Sequence, residues 1–250
     1  MKDKNPRIRL DRLLVERGMV PSRERARALI LAGSVLVDET IVSKAGTPVP
    51  STAPIRIKGG DNPYASRGGI KLKGALESFD ISVRDLVALD VGASTGGFTD
   101  CLLQEGARKV YAVDVGYGQL AWKLRSDPRV ILFERTNIRY FSGGDIDDGI
   151  DIVTIDVSFI SLKLVLPVIA RIAGHDTRVL ALIKPQFEAG REDIGKRGVV
   201  RDETVHRRVC DDIAAFAGSI HLGVAGICES PITGPAGNRE FFLYAKKVTG

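Results

Sequence analysis

The chain has 250 residues, of which 44% are hydrophobic and 27% are charged, a composition typical of a globular protein with a sizeable core. None of its apolar runs approaches the roughly 20 residues of a membrane-spanning helix, and the N-terminal stretch MKDKNPRIRLDRLL lacks the apolar segment of a secretory signal. Its three cysteines and three histidines are scattered, without the spacing of a disulfide framework or a zinc site. We therefore expect a cytoplasmic protein that carries no metal and does not act on membranes.

The net charge of +5 is unevenly distributed along the chain. Residues 1–60 contain 12 Lys and Arg against 6 Asp and Glu, whereas residues 61–250 contain 24 against 25. A local basic surplus is expected of a module that binds phosphates. Charge alone, however, fits a solvated basic surface equally well.

The first 60 residues have a helix, helix, strand pattern. Apolar residues from Ile8 to Leu14 predict the buried face of a first helix, and Ser22 predicts the N-cap of a second helix that closes at Gly33. Residues 34–42 predict a hairpin, residues 54–58 predict a further strand, and the turn formers that follow predict a domain boundary. The predicted phosphate contacts in this part are Arg9, Arg12, Arg23, Arg25 and Arg27.

From residue 66 onward, helical segments alternate with continuous apolar strands. After a predicted helix at 66–79, strands are expected at 87–91, 110–115, 130–134, 151–157 and 179–184, with two late strands at 221–230 and 239–247. Strands without polar alternation that are separated by helices predict an α/β fold with a parallel sheet covered on both faces. We expect the two late strands to close this sheet as an antiparallel edge.

The segment LDVGASTGGFTDCL (89–102) has the pattern of a strand, a glycine-rich turn and a helix, which allows backbone N–H groups to approach a ligand. Asp114 ends the next strand, where an acidic residue of an α/β nucleotide fold binds ribose hydroxyls. A carboxylate there disfavours phosphorylated cofactors and suits the ribose of S-adenosylmethionine. The predicted cofactor-binding residues are Asp90, Gly92, Ser94, Gly96, Gly97, Phe98, Asp114, Asn137 and Asp156.

Several further motifs occur together in one order, among them RLDRLLVERG, SRERARALILAG, SRGGIKL, DVGASTGGFTD, DVSFISL, IKPQFE and GNREF. With them, residues 66–247 resemble the FtsJ-type ribose 2'-O-methyltransferases, and the whole chain resembles the TlyA ribosomal RNA methyltransferase and hemolysin A family. The resemblance implies an S4-type RNA-binding domain at 1–60, a linker at 61–65 and a Rossmann-like class I methyltransferase at 66–250. It also implies S-adenosylmethionine as cofactor and ribosomal RNA or ribosomal subunits as partner.

The resemblance further implies a catalytic Lys-Asp-Lys-Glu tetrad, whose matches here are Lys71, Asp156, Lys184 and Glu240. We expect Lys184 to steer and deprotonate a ribose 2'-hydroxyl, with the two carboxylates orienting it and balancing charge. Arg67, in the SRGGIKL motif, is an expected RNA contact. Phe159 follows the tetrad aspartate closely, but it fits a core position equally well and is left out of the predicted site.

Three other functions remain open at this stage. A small-molecule methyltransferase, or another enzyme with a nucleotide-binding fold, would leave the basic N-terminal part unexplained. A non-catalytic RNA-binding or ribosome-assembly factor would keep the fold without the reaction. A hemolysin-like membrane activity is suggested by the family name, but the sequence shows no apolar span or amphipathic membrane helix that would support it.

Overall fold

The computed structural model describes residues 6–57, 62–195 and 198–248. The chain divides into two compact units, Met1–Pro63 and Tyr64–Gly250. The expected linker at 61–65 includes this division, although Asp61, like residues 1–5 and 58–60 of the expected first domain, lies outside the described residues.

The first unit is a small α+β structure. Its elements are β1 (Arg7–Arg9), α1 (Leu10–Glu16), α2 (Arg23–Leu31), β2 (Val35–Val37), β3 (Thr40–Ile41), β4 (Pro48–Pro50) and β5 (Ile55–Ile57). In the described part, β1 pairs with β4, and β2 lies between β3 and β5, all antiparallel. Leucines of α1 and Ile30 of α2 are fully buried and join both helices to the strands.

Local sequence signals account for most of this unit. Ser22 caps α2 as predicted, because its hydroxyl accepts a hydrogen bond from the Arg25 N–H at 3.2 Å. The placement of Ile8 in the first helix was wrong, since it lies in β1. Strand β4 was not predicted because two of its three residues are prolines, which weaken a strand signal and are tolerated at a sheet edge.

The second unit alternates strands and helices. Its elements are α3 (Gly68–Ser78), β6 (Val87–Val91), α4 (Gly97–Gln104), β7 (Lys109–Val113), α5 (Trp122–Arg125), β8 (Val130–Phe133), β9 (Ile152–Ile155), α6 (Leu166–Ile172), β10 (Arg178–Ile183), α7 (Pro185–Glu188), α8 (Glu203–Ser219), β11 (Leu222–Glu229) and β12 (Phe241–Lys247). Every strand expected in this part is present within a few residues. The short helices α5 and α7 were not predicted, because four residues are too few to show a helical period.

In the described residues these strands form one seven-stranded sheet in the order β11-β12-β10-β9-β6-β7-β8. The strands from β6 to β10 pair in parallel, and β12 pairs antiparallel with both β10 and β11. Successive side chains of a strand point to opposite faces, so Val87 and Leu89 pack with α6 and α8 while Ala88 packs with α3 and α4. This is the expected Rossmann-like sheet, covered on both faces and closed by an antiparallel pair.

The topology brings polar segments to one edge of the sheet. The carboxyl ends of β6, β7, β9 and β10 meet there because these strands are parallel. Phe241, the first residue of β12, pairs with Ile183, the last residue of β10. Residues that follow the parallel strands and residues that precede β12 therefore share this edge, which is where open α/β sheets bind ligands.

Candidate active site

The turn between β6 and α4 depends on glycine at two positions. Gly92 and Gly96 have φ values of 86° and 97°, a left-handed conformation that favours glycine. A Cβ at Gly92 would lie 2.5 Å from the backbone oxygen of Asp156, so the turn approaches the end of β9 very closely. Gly96 precedes the first residue of α4 and completes the turn.

The first pocket lies between this turn and the ends of β7 and β9, and has a volume of about 770 Å³. Asp114 lines it and accepts hydrogen bonds from the backbone N–H groups of Ser94 at 2.8 Å and Gly116 at 2.6 Å. Asn137 lines the same pocket, where its side-chain oxygen accepts from the Arg139 N–H at 3.1 Å. The pocket thus combines a fixed carboxylate and amide with apolar walls.

A second pocket of about 710 Å³ shares walls with the first. The side chains common to both are Ser94, Asp156, Ser158 and Phe159, together with Gly92. All four residues of the predicted tetrad line this second pocket: Lys71, Asp156, Lys184 and Glu240. The fold therefore brings together residues that are separated by up to 169 positions in the chain.

Lys184 is held at the end of β10 by two polar partners. Its Nζ lies 2.6 Å from Asp156 Oδ1 and donates to Ser158 Oγ at 2.9 Å. Pro185 follows it and starts α7, so the backbone turns directly after this side chain. The nitrogen has three N–H groups as an ammonium, or two N–H groups and a lone pair as an amine, so these two contacts leave one position on it for a ligand in the pocket.

Lys71 and Glu240 form the other half of the tetrad. The Lys71 Nζ donates to Glu240 Oε2 at 2.5 Å, and both side chains are buried. A Cβ at Gly234 would lie 2.5 Å from Glu240 Oε1, so the loop before β12 also packs against this carboxylate. The tetrad consists of two lysine–carboxylate pairs that line the same pocket.

The structure gives four of the predicted cofactor-binding residues other surroundings. Asp90 is fully buried and faces α4, where it accepts hydrogen bonds from Thr99 at 2.6 Å and Thr154 at 3.2 Å. Burial, with a smaller effect of the Asp156 charge, raises the pKa of Asp90 to about 7. Gly97 and Phe98 line the second pocket rather than the first, and Gly96 lines neither of the two.

Two residues that were not in the predicted site support its shape. Phe159 is 90% exposed with φ of 63°, lines both pockets and lies 5.0 Å from the ring of Phe187, so the core interpretation is wrong. Glu188 accepts hydrogen bonds from Ser161 Oγ at 2.6 Å and the Leu162 N–H at 2.7 Å, which ties α7 to the loop after β9. Burial raises the pKa of Glu188. Phe159 lies in the DVSFISL motif and Glu188 in the IKPQFE motif. The sequence identifies these motifs but does not show which way their side chains point.

The predicted RNA-contacting arginines fall into different groups. In the first unit, Arg9, Arg23 and Arg27 surround Asp11. Arg12 pairs with Glu16 on the surface of α1, and Arg25 donates to the backbone oxygen of Asn62. In the second unit, Arg67 lines the second pocket and donates to the backbone oxygen of Thr233 at 2.9 Å.

The described residues contain neither a candidate metal cluster nor a candidate membrane-spanning helix. No group of three or more His, Cys, Asp or Glu side chains is arranged to hold a metal ion within residues 6–57, 62–195 and 198–248. In the same ranges, no helix combines the length and the apolar character that a membrane crossing requires.

Comparison with known proteins identifies both units. Residues 64–247 match the model of the FtsJ-like methyltransferases, and residues 8–54 match that of the S4 domain. The Bacillus subtilis protein YqxC is 50% identical over 237 residues, which cover 94% of this chain and 84% of that protein. The 16S/23S rRNA (cytidine-2'-O)-methyltransferase TlyA of Mycobacterium tuberculosis is 44% identical over 244 residues, which cover 97% of this chain and 91% of the relative.

A solved structure from Streptococcus thermophilus, which carries a hemolysin name, has the same fold. It is 44% identical, with a TM-score of 0.77, and the match covers 98% of this chain and 90% of that one. The two family models together account for most of the sequence, and the relatives match it across both units. The chain belongs to the FtsJ-like methyltransferases, within the family whose members are named TlyA or hemolysin A.

Proposed function

We propose that this chain transfers the methyl group of S-adenosylmethionine to a ribose 2'-hydroxyl of ribosomal RNA. The observation that carries the proposal is the presence of two lysine–carboxylate pairs in the second pocket. This pocket shares lining residues with the first pocket, where Asp114 is placed to bind a ribose. The S4 domain and the relatives named as rRNA (cytidine-2'-O)-methyltransferases support RNA as the substrate. Ribosomal RNA is a cytoplasmic substrate, so we propose that the chain acts in the cytoplasm.

The polar residues of the first pocket are suited to S-adenosylmethionine. The Asp114 carboxylate accepts two backbone N–H groups and keeps lone pairs for ribose hydroxyls, while its charge disfavours a phosphate. Asn137 and the turn at Gly92 would hold the rest of the nucleoside. Asp156, on the wall between the pockets, would face the positive charge of the cofactor, which supplies an electrophilic methyl group when bound.

The second pocket would receive the target ribose. Lys184 would act as a neutral amine: its two N–H groups would contact Asp156 and Ser158, and these contacts would direct its lone pair at the 2'-hydroxyl. As the 2'-oxygen took the methyl group and the sulfur of the cofactor kept the bonding electrons, the hydroxyl proton would pass to the lone pair of Lys184 Nζ and convert the amine to an ammonium group. The Asp156 carboxylate offsets the charge that this transfer creates. The buried Lys71–Glu240 pair would keep its part of the pocket lining rigid and net neutral.

Transfer of a tritiated methyl group from S-adenosylmethionine to ribosomal subunits tests the proposal. The subunits come from a strain that lacks this chain, so that the target is unmodified. We expect transfer that depends on RNA, and a Lys184→Ala variant whose rate falls by about 10²–10⁴-fold, the usual contribution of a positioned base. Transfer to small molecules without RNA, or an unchanged rate in the variant, would overturn the proposal.

The matched control is Lys246→Ala. Lys246 is an exposed lysine of β12 that pairs with Arg178, the first residue of β10, and so lies at the opposite end of the sheet. Its loss changes the net charge by the same amount as loss of Lys184. We expect its rate to stay within about twofold of the unaltered chain, because surface substitutions away from a site have small effects.

A further inference from the structure

Asp11, the second residue of α1, is a fully buried carboxylate in a basic unit. Arg9 donates to both of its oxygens, from Nε and Nη2 at 3.0 Å each. Arg23 Nη2 donates to Oδ2 at 3.0 Å, and Arg27 Nε lies 3.6 Å from the same oxygen. One carboxylate thus gathers guanidinium groups from β1 and from successive turns of α2.

The cluster carries more positive charge than its own structure needs. The Arg9 hydrogen bond, with that of Arg23, holds the pKa of Asp11 well below its usual range, so the carboxylate is charged throughout the working range of pH. Two negative charges are set against three positive ones among the described residues: Asp11 contacts all three arginines, and the charge of Glu24 on α2 acts on Arg23 and Arg27. The three arginine side chains remain about half exposed, at 51%, 50% and 55%.

The geometry leaves these arginines able to bind a second anion. Each guanidinium group has five N–H donors. Within the described part of the chain, Arg9 donates two of its five to Asp11 and Arg23 donates one. The Arg9 guanidinium packs against Gly46, because a Cβ at Gly46 would lie only 3.4 Å from the guanidinium atoms. A guanidinium fixed in this way loses less conformational freedom when it forms a bidentate contact with a phosphate.

We propose that Asp11 is a positioning residue that preorganises Arg9, Arg23 and Arg27 as one phosphate-binding cluster for RNA. The proposal rests on the RNA substrate proposed above and deepens it. The proposal and the net charge predict opposite changes in RNA affinity when Asp11 is removed. Removing a negative charge from a basic unit should tighten RNA binding, whereas removing Asp11 should weaken it because three arginines lose their common anchor.

The test compares Asp11→Asn with Glu16→Gln in the full chain, by filter binding to ribosomal RNA between 50 and 200 mM salt. Both variants remove one negative charge from α1, but Glu16 contacts only Arg12 at the surface among the described residues. We expect Asp11→Asn to weaken binding by about tenfold. We also expect its salt dependence to become less steep, by about one phosphate contact or more. Glu16→Gln should bind equally well or more tightly.

Two further measurements separate positioning from folding. At saturating RNA, the Asp11→Asn variant should keep the methyl-transfer kcat of the unaltered chain while its KM rises. If Asp11→Asn fails to fold, Arg27→Ala is compared with Lys44→Ala. Each removes one positive charge from the first unit, but Lys44 is exposed and outside the cluster. We expect Arg27→Ala to weaken binding several-fold more than Lys44→Ala.

The outcomes distinguish the two proposals. Equal or tighter RNA binding by Asp11→Asn, or equal losses in Arg27→Ala and Lys44→Ala, would overturn the cluster while leaving the methyltransferase proposal intact. An unaltered chain that does not bind ribosomal RNA at all would overturn both.

Discussion

The position of Asp90 in the sequence predicts a cofactor contact, but its side chain points away from the predicted cofactor pocket. Its place at the end of β6, before the glycine turn, predicted a contact with the cofactor. In the structure the side chain points to the α4 face of the sheet and bonds Thr99 and Thr154. Strand alternation explains this direction, because Val91 and Asp90 must face opposite sides. The register of a strand can be predicted from apolar residues, but which face carries the ligand cannot.

The raised pKa of Asp90 predicts a dependence of stability on pH. The folded-state pKa is about 7 against an ordinary value of 3.8, so the folded chain holds an extra proton between these values. The free energy of unfolding should therefore fall as pH rises through this window. We expect Asp90→Asn, which has no proton to lose, to gain stability relative to the unaltered chain from pH 5 to pH 8.

Thermal or urea unfolding of both proteins at pH 5, 6, 7 and 8 checks this expectation. Other titrating groups are common to the pair and cancel in the difference. A difference in unfolding free energy that stays constant over the whole range would show that Asp90 is ionised well below pH 7.

At the scale of elements, the regular strands and long helices of the second unit follow from their apolar pattern. Continuous apolar runs predicted β6 to β10, and a Gly-rich turn predicted the start of α4. The same patterns did not predict the pairing of β1 with β4 or the short helices α5 and α7. Two prolines obscure β4, and four-residue helices are set by tertiary contacts, as Glu188 of α7 illustrates.

The close approach of the β6–α4 turn to β9 gives a prediction about Gly92. A Gly92→Ala variant would force its Cβ against the Asp156 backbone oxygen, and the two strand ends would have to separate. We expect the methyl-transfer rate to fall by about 100-fold or more, because displacements near 1 Å at a site have such costs. Rates with saturating substrates, and melting curves for both proteins, measure the effect.

Gly118→Ala is the control for backbone strain. Gly118 also has a positive φ, of 68°, but a Cβ there would meet nothing within 4 Å. Both variants carry the cost of a left-handed alanine, and only Gly92→Ala adds crowding at the site. Similar rates for the two variants would show that the spacing of β6 and β9 does not control the reaction.

At the scale of the whole molecule, the sequence separates a basic first part from a nearly neutral second part, and the structure divides the chain near the same point. The order of elements was sufficient to predict the sheet and its antiparallel edge. The pairing within the tetrad was not predictable, because Lys71 lies on a helix and Glu240 precedes the last strand. The position of β12 beside β10 brings Glu240 to the pocket that Lys184 and Asp156 line, and the packing of α3 against the sheet brings Lys71 there.

The measurement that tests the central claim most directly is the chemical identity of the methylated nucleoside. Ribosomal subunits from a strain without this chain are treated with the chain and S-adenosylmethionine, digested to nucleosides and analysed by mass spectrometry. We expect the new methyl group on the ribose, as a 2'-O-methylnucleoside whose amount after the same reaction time is at least about 100-fold lower when Lys184→Ala replaces the unaltered chain. A methyl group on a base, or no methylated nucleoside at all, would contradict the account.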